Sequence, residues 1–375
     1  MAARVYFTNL RTSNNINLLD NMERLIRKAG FEDVISQKDK VGIKVHFGEM
    51  GNLAYIRPPY IRRVVAMVKK AGALPFVTDA NTLYKGQRAN AIDHLETAIA
   101  NGFDYSVISA PLIIADGLTG RDFVKVPLEG CKHFKNVHIG SAAVYADALL
   151  VVSHFKCHEL TGFGGAIKNL GMGLGARSGK QQMHTDVLPK INEKFCASCE
   201  QCSKWCPADA IGFVPWNGNK KGQKAAIDYE KCWGCGECLA VCKFDAIIPT
   251  WKTTPAVMQE KMAEYALGAA KDKENKTLYV SFVNDVSPAC DCHGYNDFPI
   301  VQDIGILASK DPVALDKACA DMVNQMPPLS GSIINDLPMG HDKFKAVHPN
   351  IDWVPQLTHA QEIGLGNMEY NLEQI

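Results

Sequence analysis

The sequence predicts an α/β protein with a mostly parallel sheet and flanking helices, interrupted by a small cysteine-rich module. Two observations support this fold class. Short apolar strands alternate with amphipathic helices on both sides of the module, and eight of the 13 cysteines fall between residues 196 and 242. The predicted divisions are an α/β part at 1–190, the module at 191–250 and a second α/β part at 251–375. One α/β domain with an inserted module is the simplest arrangement, and two separate α/β domains are the alternative.

The composition is that of a globular protein with a large core and no net charge. The 375 residues are 47% hydrophobic, with 40 Lys+Arg against 40 Asp+Glu. Zero net charge argues against nucleic acid as a partner, because such binding rests largely on positive charge. No apolar run approaches the ~20 residues of a membrane span, and the N-terminus lacks the apolar segment of a secretory signal. We therefore expect a cytoplasmic protein.

Helix and strand signals alternate over residues 18–152. Prolines precede the second predicted helix, and Gly30 and Gly72 follow the first two. The third strand is one continuous apolar run, as in parallel strands that are buried on both faces. The predicted elements are helix Leu18–Ala29, strand Val41–His46, helix Tyr60–Ala71, strand Leu74–Val77, helix Ala89–Ala100 and strand Ala148–Val152.

The same alternation resumes after the module, where Asp311 is placed to cap the last helix. The predicted elements are helix Pro255–Ala270, strand Thr277–Val283, strand Ile304–Ala308 and helix Pro312–Asn324. This pattern implies βαβ units with helices on both faces of the sheet. Ligands of such sheets bind at the carboxyl ends of the strands.

The cysteines of the module repeat with a fixed period. An odd total without an export signal argues against disulfides, so these thiols are metal ligands, catalytic groups or core residues. The pattern C-x2-C-x2-C-x3-C occurs twice, and each cysteine recurs 36 positions later, as Cys196 does at Cys232. Thiolates at i, i+3 and i+6 surround three corners of a cubane, so the fourth ligand must come from elsewhere in the chain.

This double motif resembles the bacterial-type two-cluster ferredoxin, a small α+β module. In that family the last cysteine of each run ligates the other cluster. The resemblance implies one [4Fe-4S] cluster on Cys196, Cys199, Cys202 and Cys242, and a second on Cys232, Cys235, Cys238 and Cys206. Pro207 follows the family pattern, whereas Lys243 stands where a second proline is expected. Zinc is the alternative, but structural zinc sites use separated cysteine pairs, which this spacing fits poorly.

A glycine-rich segment with interleaved cations follows the strand that ends at Val152. Six glycines lie between residues 162 and 175. Backbone N–H groups in such a loop, followed by a helix N-terminus, can hold a phosphate. The segment is not a Walker A loop, and its match to the dinucleotide fingerprint does not directly follow the strand. A flexible turn with solvated cations is the alternative. The predicted cofactor-binding residues here are Gly162, Gly164, Gly165, Lys168, Asn169 and Gly171.

Histidines and thiols mark the remaining candidate positions. His46 and His158 lie at the ends of predicted strands, and we predict that they act as acid–base groups in a shared cleft, although a structural role is the alternative. Cys290 and Cys292 cannot easily bridge each other at this spacing, but they can bind a metal or present thiolates to a cofactor. Two ordinary loop thiols are the alternative there. Further polar residues at strand ends are Glu49, Asp79, Asn81, Thr82 and His154, while His184 lies just beyond the glycine-rich segment. The thiols expected to be inert are Cys131, Cys157 and Cys319.

Five stretches outside the module carry a family resemblance. They are Lys44-x-His46-x-Gly48-Glu49, Asp79-x-Asn81-Thr82, Gly164-Gly165-x-x-Lys168-Asn169-x-Gly171, Cys290-Asp291-Cys292, and Asp303-x-Gly305 through Asp311-Pro312 to Asp316. Together they resemble the family called domain of unknown function 362, in its ferredoxin-containing form. The resemblance implies an iron–sulfur protein of anaerobic metabolism and leaves the substrate and reaction open. A more distant likeness to the lactate racemase superfamily implies a metal-cofactor site rich in His and Lys.

Three functional hypotheses follow from these features. The leading one is an oxidoreductase in which two clusters pass electrons from a redox partner protein to a small-molecule substrate site in the α/β part. A flavin converts between one- and two-electron chemistry, so bound FMN is predicted, with its phosphate on the glycine-rich segment. The second hypothesis is an electron-transfer or redox-sensing protein without turnover. The third is a metal-dependent, isomerase-like enzyme with Cys290, Cys292 and nearby histidines on a third metal.

Overall fold

The computed structural model describes residues 2–83, 86–184, 188–206, 208–232, 234, 236–248 and 253–375. Pro207 and Cys235, which the sequence analysis singled out, lie outside these residues. None of the helices in this described part has the length and apolar character needed to span a bilayer.

The strands group into one large sheet and several two-stranded ones. In chain order they are β1 (Ala3–Asn9), β2 (Lys40–Lys44), β3 (Leu74–Asp79), β4 (Leu112–Ile114), β5 (Phe123–Pro127), β6 (Asn136–Gly140), β7 (Ala148–His154), β8 (Lys156–His158), β9 (Gly162–Gly164), β10 (Lys190–Ile191), β11 (Ile211–Pro215), β12 (Gln223–Ile227), β13 (Ile247–Ile248), β14 (Thr277–Val283), β15 (Gly305–Ser309) and β16 (Tyr370–Gln374).

The helices cover the large sheet on both sides. In chain order they are α1 (Leu18–Lys28), α2 (Phe31–Val34), α3 (Pro58–Lys70), α4 (Ala91–Ala100), α5 (Tyr105–Ile108), α6 (Ser141–Val144), α7 (Ala166–Leu174), α8 (Arg177–His184), α9 (Gln201–Lys204), α10 (Glu237–Val241), α11 (Pro255–Ala270), α12 (Pro312–Gln325), α13 (Lys343–Val347) and α14 (Val354–Glu362).

The large sheet has the strand order β16-β1-β15-β14-β7-β2-β3-β4. Five of its neighbouring pairs are parallel, and β15 runs antiparallel to both β1 and β14. The predicted fold class, α/β with a mostly parallel sheet, is therefore confirmed. Strand β7 lies before the cysteine-rich module and β14 after it, and the two pair along Thr277–Phe282. Both flanking parts of the chain thus build one sheet, while the exact domain boundaries stay a prediction.

The sheet separates two hydrophobic cores, and alternate residues of β7 enter each of them. Leu149 and Val151 pack into the core that contains α7, α11 and α12, whereas Leu150 and Val152 pack into the core that contains α1 and α3. This alternation is what a strand with helices on both faces requires. It explains why the sequence at 148–152 is continuously apolar.

The predicted elements lie within a few residues of the observed ones. The helix at 255–270 and the strand at 277–283 have the predicted bounds, and the helix predicted at 60–71 begins two residues earlier, at Pro58. Strands β1 and β16, which pair in parallel at one edge of the sheet, were not predicted. Helix α7 was also missed, because its glycines favour a loop in isolation.

Candidate functional site

A cavity of about 290 Å³ opens at the carboxyl ends of β2, β3 and β7. This is the edge at which the sequence analysis expected a ligand. Its volume lies near the lower end of the range typical of small-molecule sites, roughly 300–1,000 Å³. Its lining includes four Lys or Arg side chains, four histidines and only two carboxylates. We call it the cationic cavity; the basic and histidine residues are Arg88, Lys156, Lys168, Lys180, His46, His158, His184 and His293.

A buried ion network supports one wall of this cavity. The Nζ of Lys44 lies 3.0 Å from Oδ1 of Asp79, and it also donates to Oδ1 of Asn169 at 2.6 Å. Arg88 bonds Glu49 through Nε at 3.1 Å, and its Nη1 lies 3.7 Å from Oδ2 of Asp79. Burial lowers the pKa of Lys44, whereas for Asp79 the adjacent Lys44 outweighs burial and holds the pKa well below its usual range. The network therefore carries fixed charges on strands β2 and β3.

The two histidines predicted as acid–base groups, His46 and His158, both line the cavity, and a backbone hydrogen bond fixes the tautomer of each. The backbone N–H of Gly48 donates to Nδ1 of His46 at 3.0 Å, and that of Leu160 donates to Nδ1 of His158 at 3.1 Å. Burial lowers both pKa values well below the usual range, aided by the charge of Arg88 near His46 and of Lys168 near His158. Both rings are therefore neutral with the proton on Nε2. Each one brings an N–H donor to the cavity.

The Cys290-Asp291-Cys292 stretch forms a second charged centre beside the cavity. Asp291 is fully buried, with Oδ1 2.8 Å from Nδ1 of His154 and Oδ2 3.1 Å from Nζ of Lys156. Although burial raises it, the charges of His154 and Lys156 hold the pKa of Asp291 well below its usual range. The carboxylate thus fixes the loop, and with it the two thiols, against the end of β7.

The two thiols differ in environment. Cys290 Sγ accepts hydrogen bonds from Nζ of Lys168 and from the backbone N–H of Cys292, both at 3.5 Å. The Cys292 thiol and then the Lys168 and Lys156 charges lower the pKa of Cys290 to about 5, while the hydrogen bond to Cys290 raises the pKa of Cys292. Burial alone lowers the pKa of Lys168, but the adjacent thiolate charge raises it overall. The Lys168 ammonium group and the Cys292 N–H therefore both favour the thiolate form of Cys290.

The glycine-rich segment corrects one expectation. Residues 166–174 form helix α7, and its first N–H groups, those of Ala166 and Ile167, donate to the carboxylate of Asp316 at 2.6 and 2.9 Å. A phosphate cannot use a helix N-terminus that an internal carboxylate already occupies. The N–H groups of Ala166 and Ile167 are therefore not available to a phosphate, whereas Gly165 itself lines the cavity and its role in binding a cofactor stays a prediction. The flavin itself stays a prediction.

The other predicted cofactor-binding residues of this segment have separate locations. Lys168 and Asn169 line the cavity, whereas Gly162 and Gly164 lie in strand β9. Gly171 faces helix α11, where an added Cβ would stand 2.3 Å from the carbonyl oxygen of Met262. Gly171 is thus needed for helix packing rather than for contact with the cavity.

Sequence reasoning missed several cavity residues. Lys156 and Lys180 belong to the stretch 153–180 that follows β7, and the alternation of residues beyond β7 is a usable signal for Lys156. Arg88 enters from the loop that follows β3, and no local pattern marked it. His184 lines the cavity as its position suggested, whereas His154 is held by Asp291 and Asn284 instead.

The module brings one predicted set of cluster ligands together. Cys196, Cys199, Cys202 and Cys242 line a single small cavity with apolar neighbours that include Phe213. Backbone N–H groups donate to Sγ of Cys196 from Ala225 at 3.4 Å and to Sγ of Cys242 from Ala246 at 3.3 Å. Four sulfur donors in apolar surroundings with N–H···S bonds fit a [4Fe-4S] cluster. Of the second set, Cys206, Cys232 and Cys238 lie in the described residues, but Cys235 does not. The second set therefore stays a prediction.

The 36-residue repeat also appears in the backbone. Left-handed φ angles occur at Ser198 (52°) and Gly234 (75°), at Glu200 (64°) and Gly236 (75°), and at Asp209 (50°) and Asp245 (51°). Every pair is separated by the period of the cysteine repeat. Residues other than glycine rarely adopt such angles, so the shared conformation reflects the same local fold in both halves.

The module packs against the cationic cavity. Leu83 lines the cavity and belongs to the hydrophobic cluster of Cys202 and Cys238. Helix α8 carries Lys180, which lines the cavity. The same helix packs closely on Gly236 of the module, where an added Cβ would stand 2.8 Å from Cβ of Gln181 and 3.3 Å from Cα of Ser178. Arg121 bonds Glu237 at 2.9 Å, and its guanidinium stacks 3.6 Å from the ring centre of Trp205. The cysteine module and the cavity are therefore neighbours separated by few side chains.

Partial matches link this chain to subunits of redox enzymes. It is 32% identical over 102 residues to a selenate reductase subunit of Mesobacillus selenatarsenatis, which is 24% of this chain and 33% of that protein. It is 40% identical over 72 residues to the IorA subunit of the indolepyruvate oxidoreductase of Pyrococcus abyssi, or 19% and 9% of the two chains. With the PorD subunit of the pyruvate synthase of Methanocaldococcus jannaschii it shares 39% identity over 59 residues, 16% and 62%. The chain spans a third or less of the first two relatives.

Among solved structures, the lactate racemase apoprotein of Thermoanaerobacterium thermosaccharolyticum aligns with a TM-score of 0.43 and 12% identity, covering 86% of this chain and 58% of that one. The family model described as domain of unknown function (DUF362) matches residues 41–321, which include the strand ends of the cavity, the cysteine module and Cys290-Asp291-Cys292. As its motifs predicted, this chain belongs to the DUF362 family.

Proposed function

We propose that this protein is an iron–sulfur oxidoreductase that passes electrons from two [4Fe-4S] clusters to a small anionic substrate in the cationic cavity. The observation that carries the proposal is the position of Leu83. This side chain lines the cavity and also packs in the hydrophobic core of the module, which contains Cys202 and Cys238. Electron transfer requires such proximity between donor and acceptor sites. The partial matches to oxidoreductase and reductase subunits agree with this class of activity.

The chain's own groups favour an anionic substrate. His46 and His158 offer N–H donors, and Arg88, Lys156, Lys168 and Lys180 add positive charge within a partly enclosed space. Neutral imidazole N–H groups and buried cations stabilise negative charge on an oxygen strongly, because little water screens them. Their targets in a substrate are carboxylate, phosphate or enolate oxygens. A redox partner protein would deliver the electrons to the module.

The cysteines of the module are the residues that would hold the clusters. When bound, the clusters supply one-electron transfer at potentials set by N–H···S bonds and burial. Cys196, Cys199, Cys202 and Cys242 would hold one cluster, and the second quartet would hold the other. Because Asp316 accepts the first two N–H groups of α7, a flavin phosphate would have to bind elsewhere in the cavity.

Anion binding can be tested on the clusters themselves. Anaerobic holoprotein is titrated with malonate, 2-oxoglutarate or inorganic phosphate, with chloride as the ionic-strength control, while cluster potentials and the melting temperature are followed. We expect a saturable response to at least one of these anions. His46→Phe and His158→Phe are expected to weaken it about tenfold, because phenylalanine keeps a ring but has no N–H to donate to the anion.

His138→Phe is the matched control for these variants. His138 is buried and its pKa is lowered by burial to about 4, but it stacks on Phe123 outside the cavity lining. Its variant should respond as the wild type does. A wild-type protein that shows no saturable response to any of these anions, or histidine variants that respond normally, would contradict the proposal.

A further inference from the structure

We propose that Cys290 and Cys292 form a dithiol–disulfide couple that collects two electrons beside the cationic cavity. This inference deepens the proposed function and rests on it for the source of electrons. Clusters of this type carry one electron each, whereas most organic reductions need a pair. A thiol pair adjacent to the cavity supplies that conversion from the chain's own residues.

The geometry brings the two sulfurs together with a cation. The Sγ atoms of Cys290 and Cys292 and a ring nitrogen of His158 all lie within 4.8 Å of one another. Cys292 lines the cavity, while Cys290 is buried behind it against Lys168. This arrangement is typical of a reactive thiol pair. The Cys292 sulfur faces the cavity, and the Cys290 sulfur is stabilised as a thiolate by a positive charge and a backbone N–H.

The same atoms also suggest a metal site, but their hydrogen bonds oppose it. A histidine that binds a metal through one ring nitrogen donates the proton of the other nitrogen to an acceptor. His158 does the reverse, because its Nδ1 accepts the N–H of Leu160 and the proton therefore stays on Nε2. The ammonium of Lys168, 3.5 Å from Cys290 Sγ, adds a fixed positive charge where a metal cation would bind. These contacts therefore favour a redox-active thiol pair over a third metal site.

The redox step balances with the groups named. In the oxidised form, a bond joins Cys290 Sγ to Cys292 Sγ. Two electrons, one from each reduced cluster, break that bond; one proton from the cavity goes to Cys292 Sγ, and Cys290 Sγ remains a thiolate beside Lys168. A one-electron donor protein then reduces the clusters again. The tight spacing that makes a C-x-C bridge strained also makes it easily reduced, as expected for a catalytic rather than a structural disulfide.

Thiol trapping tests the couple independently of any substrate. Anaerobic holoprotein is equilibrated with mixtures of reduced and oxidised dithiothreitol and then alkylated with iodoacetamide. The mass of the peptide containing residues 290–292 is measured by mass spectrometry after digestion. We expect a two-electron transition between a doubly alkylated dithiol and a disulfide that is not alkylated. Cys157→Ser removes a buried thiol elsewhere in the core and should leave this transition unchanged.

Lys168 is a positioning residue, and its variants separate chemistry from folding. Lys168→Met should slow alkylation of Cys290 at pH 5 about fivefold, since a rise of one unit from a pKa of about 5 leaves about one-tenth instead of one-half of the thiol ionised at that pH. Lys168→Arg should restore most of the rate. An unchanged alkylation rate in Lys168→Met would overturn the role given to the cation.

Electron counting then connects the couple to the clusters. In an anaerobic reductive titration, oxidised wild-type protein should accept two more electrons per chain than Cys292→Ser of equal iron content. A 290–292 peptide that stays dithiol at every ratio, or a stoichiometric metal other than cluster iron that Cys292→Ser loses, would refute the couple. Because trapping needs no anion, it can succeed even if the anion response of the proposed function fails.

Discussion

The ion pair between Lys44 and Asp79 should be the most sensitive point of the cavity wall. Both side chains are at most 3% exposed, and Nζ lies 3.0 Å from Oδ1. At an effective dielectric constant of ~20 this separation corresponds to about 5 kcal/mol of attraction before desolvation is subtracted. Asp79→Asn leaves a buried ammonium group without its carboxylate, so we expect a loss of about 3–5 kcal/mol in the free energy of unfolding.

Lys44→Met should cost less, because Arg88 and His94 still lie 3.7 and 3.6 Å from the Asp79 carboxylate. The double variant Lys44→Met/Asp79→Asn should be less damaging than the sum of the single changes, since neither buried charge is then left alone. Thermal melting of the anaerobic holoprotein measures all three. The surface pair Lys310–Asp33, at 2.7 Å but well exposed, provides the control, and Lys310→Met should leave the melting temperature unchanged. Additive effects of the two buried substitutions would refute the reasoning.

Two further predictions concern helix α7, whose first N–H groups donate to Asp316 and whose Gly173 packs against Lys44. Burial raises the pKa of Asp316 to about 7, so the wild type loses stability as the pH rises from about 4 to 7, whereas Asp316→Asn does not. Melting curves from pH 5 to 8 should therefore favour the variant increasingly, and a constant difference would contradict the buried carboxylate. Gly173→Ala would place its Cβ 2.5 Å from Cε of Lys44, so a loss of about 1–3 kcal/mol is expected, compared with no loss for Gly212→Ala, which has no neighbour within 4 Å.

Local sequence patterns predicted most of the large sheet. The run at 148–152 was recognisable because both of its faces are buried, and helices α3 and α11 were marked by their prolines. Helix α7 was not predictable from propensity, because Gly171 and Gly173 disfavour a helix in isolation and are needed only where α11 and Lys44 approach. Tertiary packing decided the conformation there.

The candidate site was predictable only in part. The strand ends at His46 and His158 predicted a shared cleft, and both residues line one cavity, because parallel strands present their carboxyl ends at one edge. The contact of Asp316 with the start of α7 joins residues 150 positions apart, and no local pattern encodes it. The same is true of Arg88, whose loop carries no motif. Contacts between charged residues that are distant in the sequence could therefore not be predicted from it.

The most direct test of the central claim is to count iron and acid-labile sulfide in anaerobically purified protein. Two [4Fe-4S] clusters predict about eight iron atoms and eight sulfides per chain, with a signal from interacting reduced clusters in electron paramagnetic resonance. Zinc in place of iron, or four or fewer iron atoms in fully folded protein, would contradict the account.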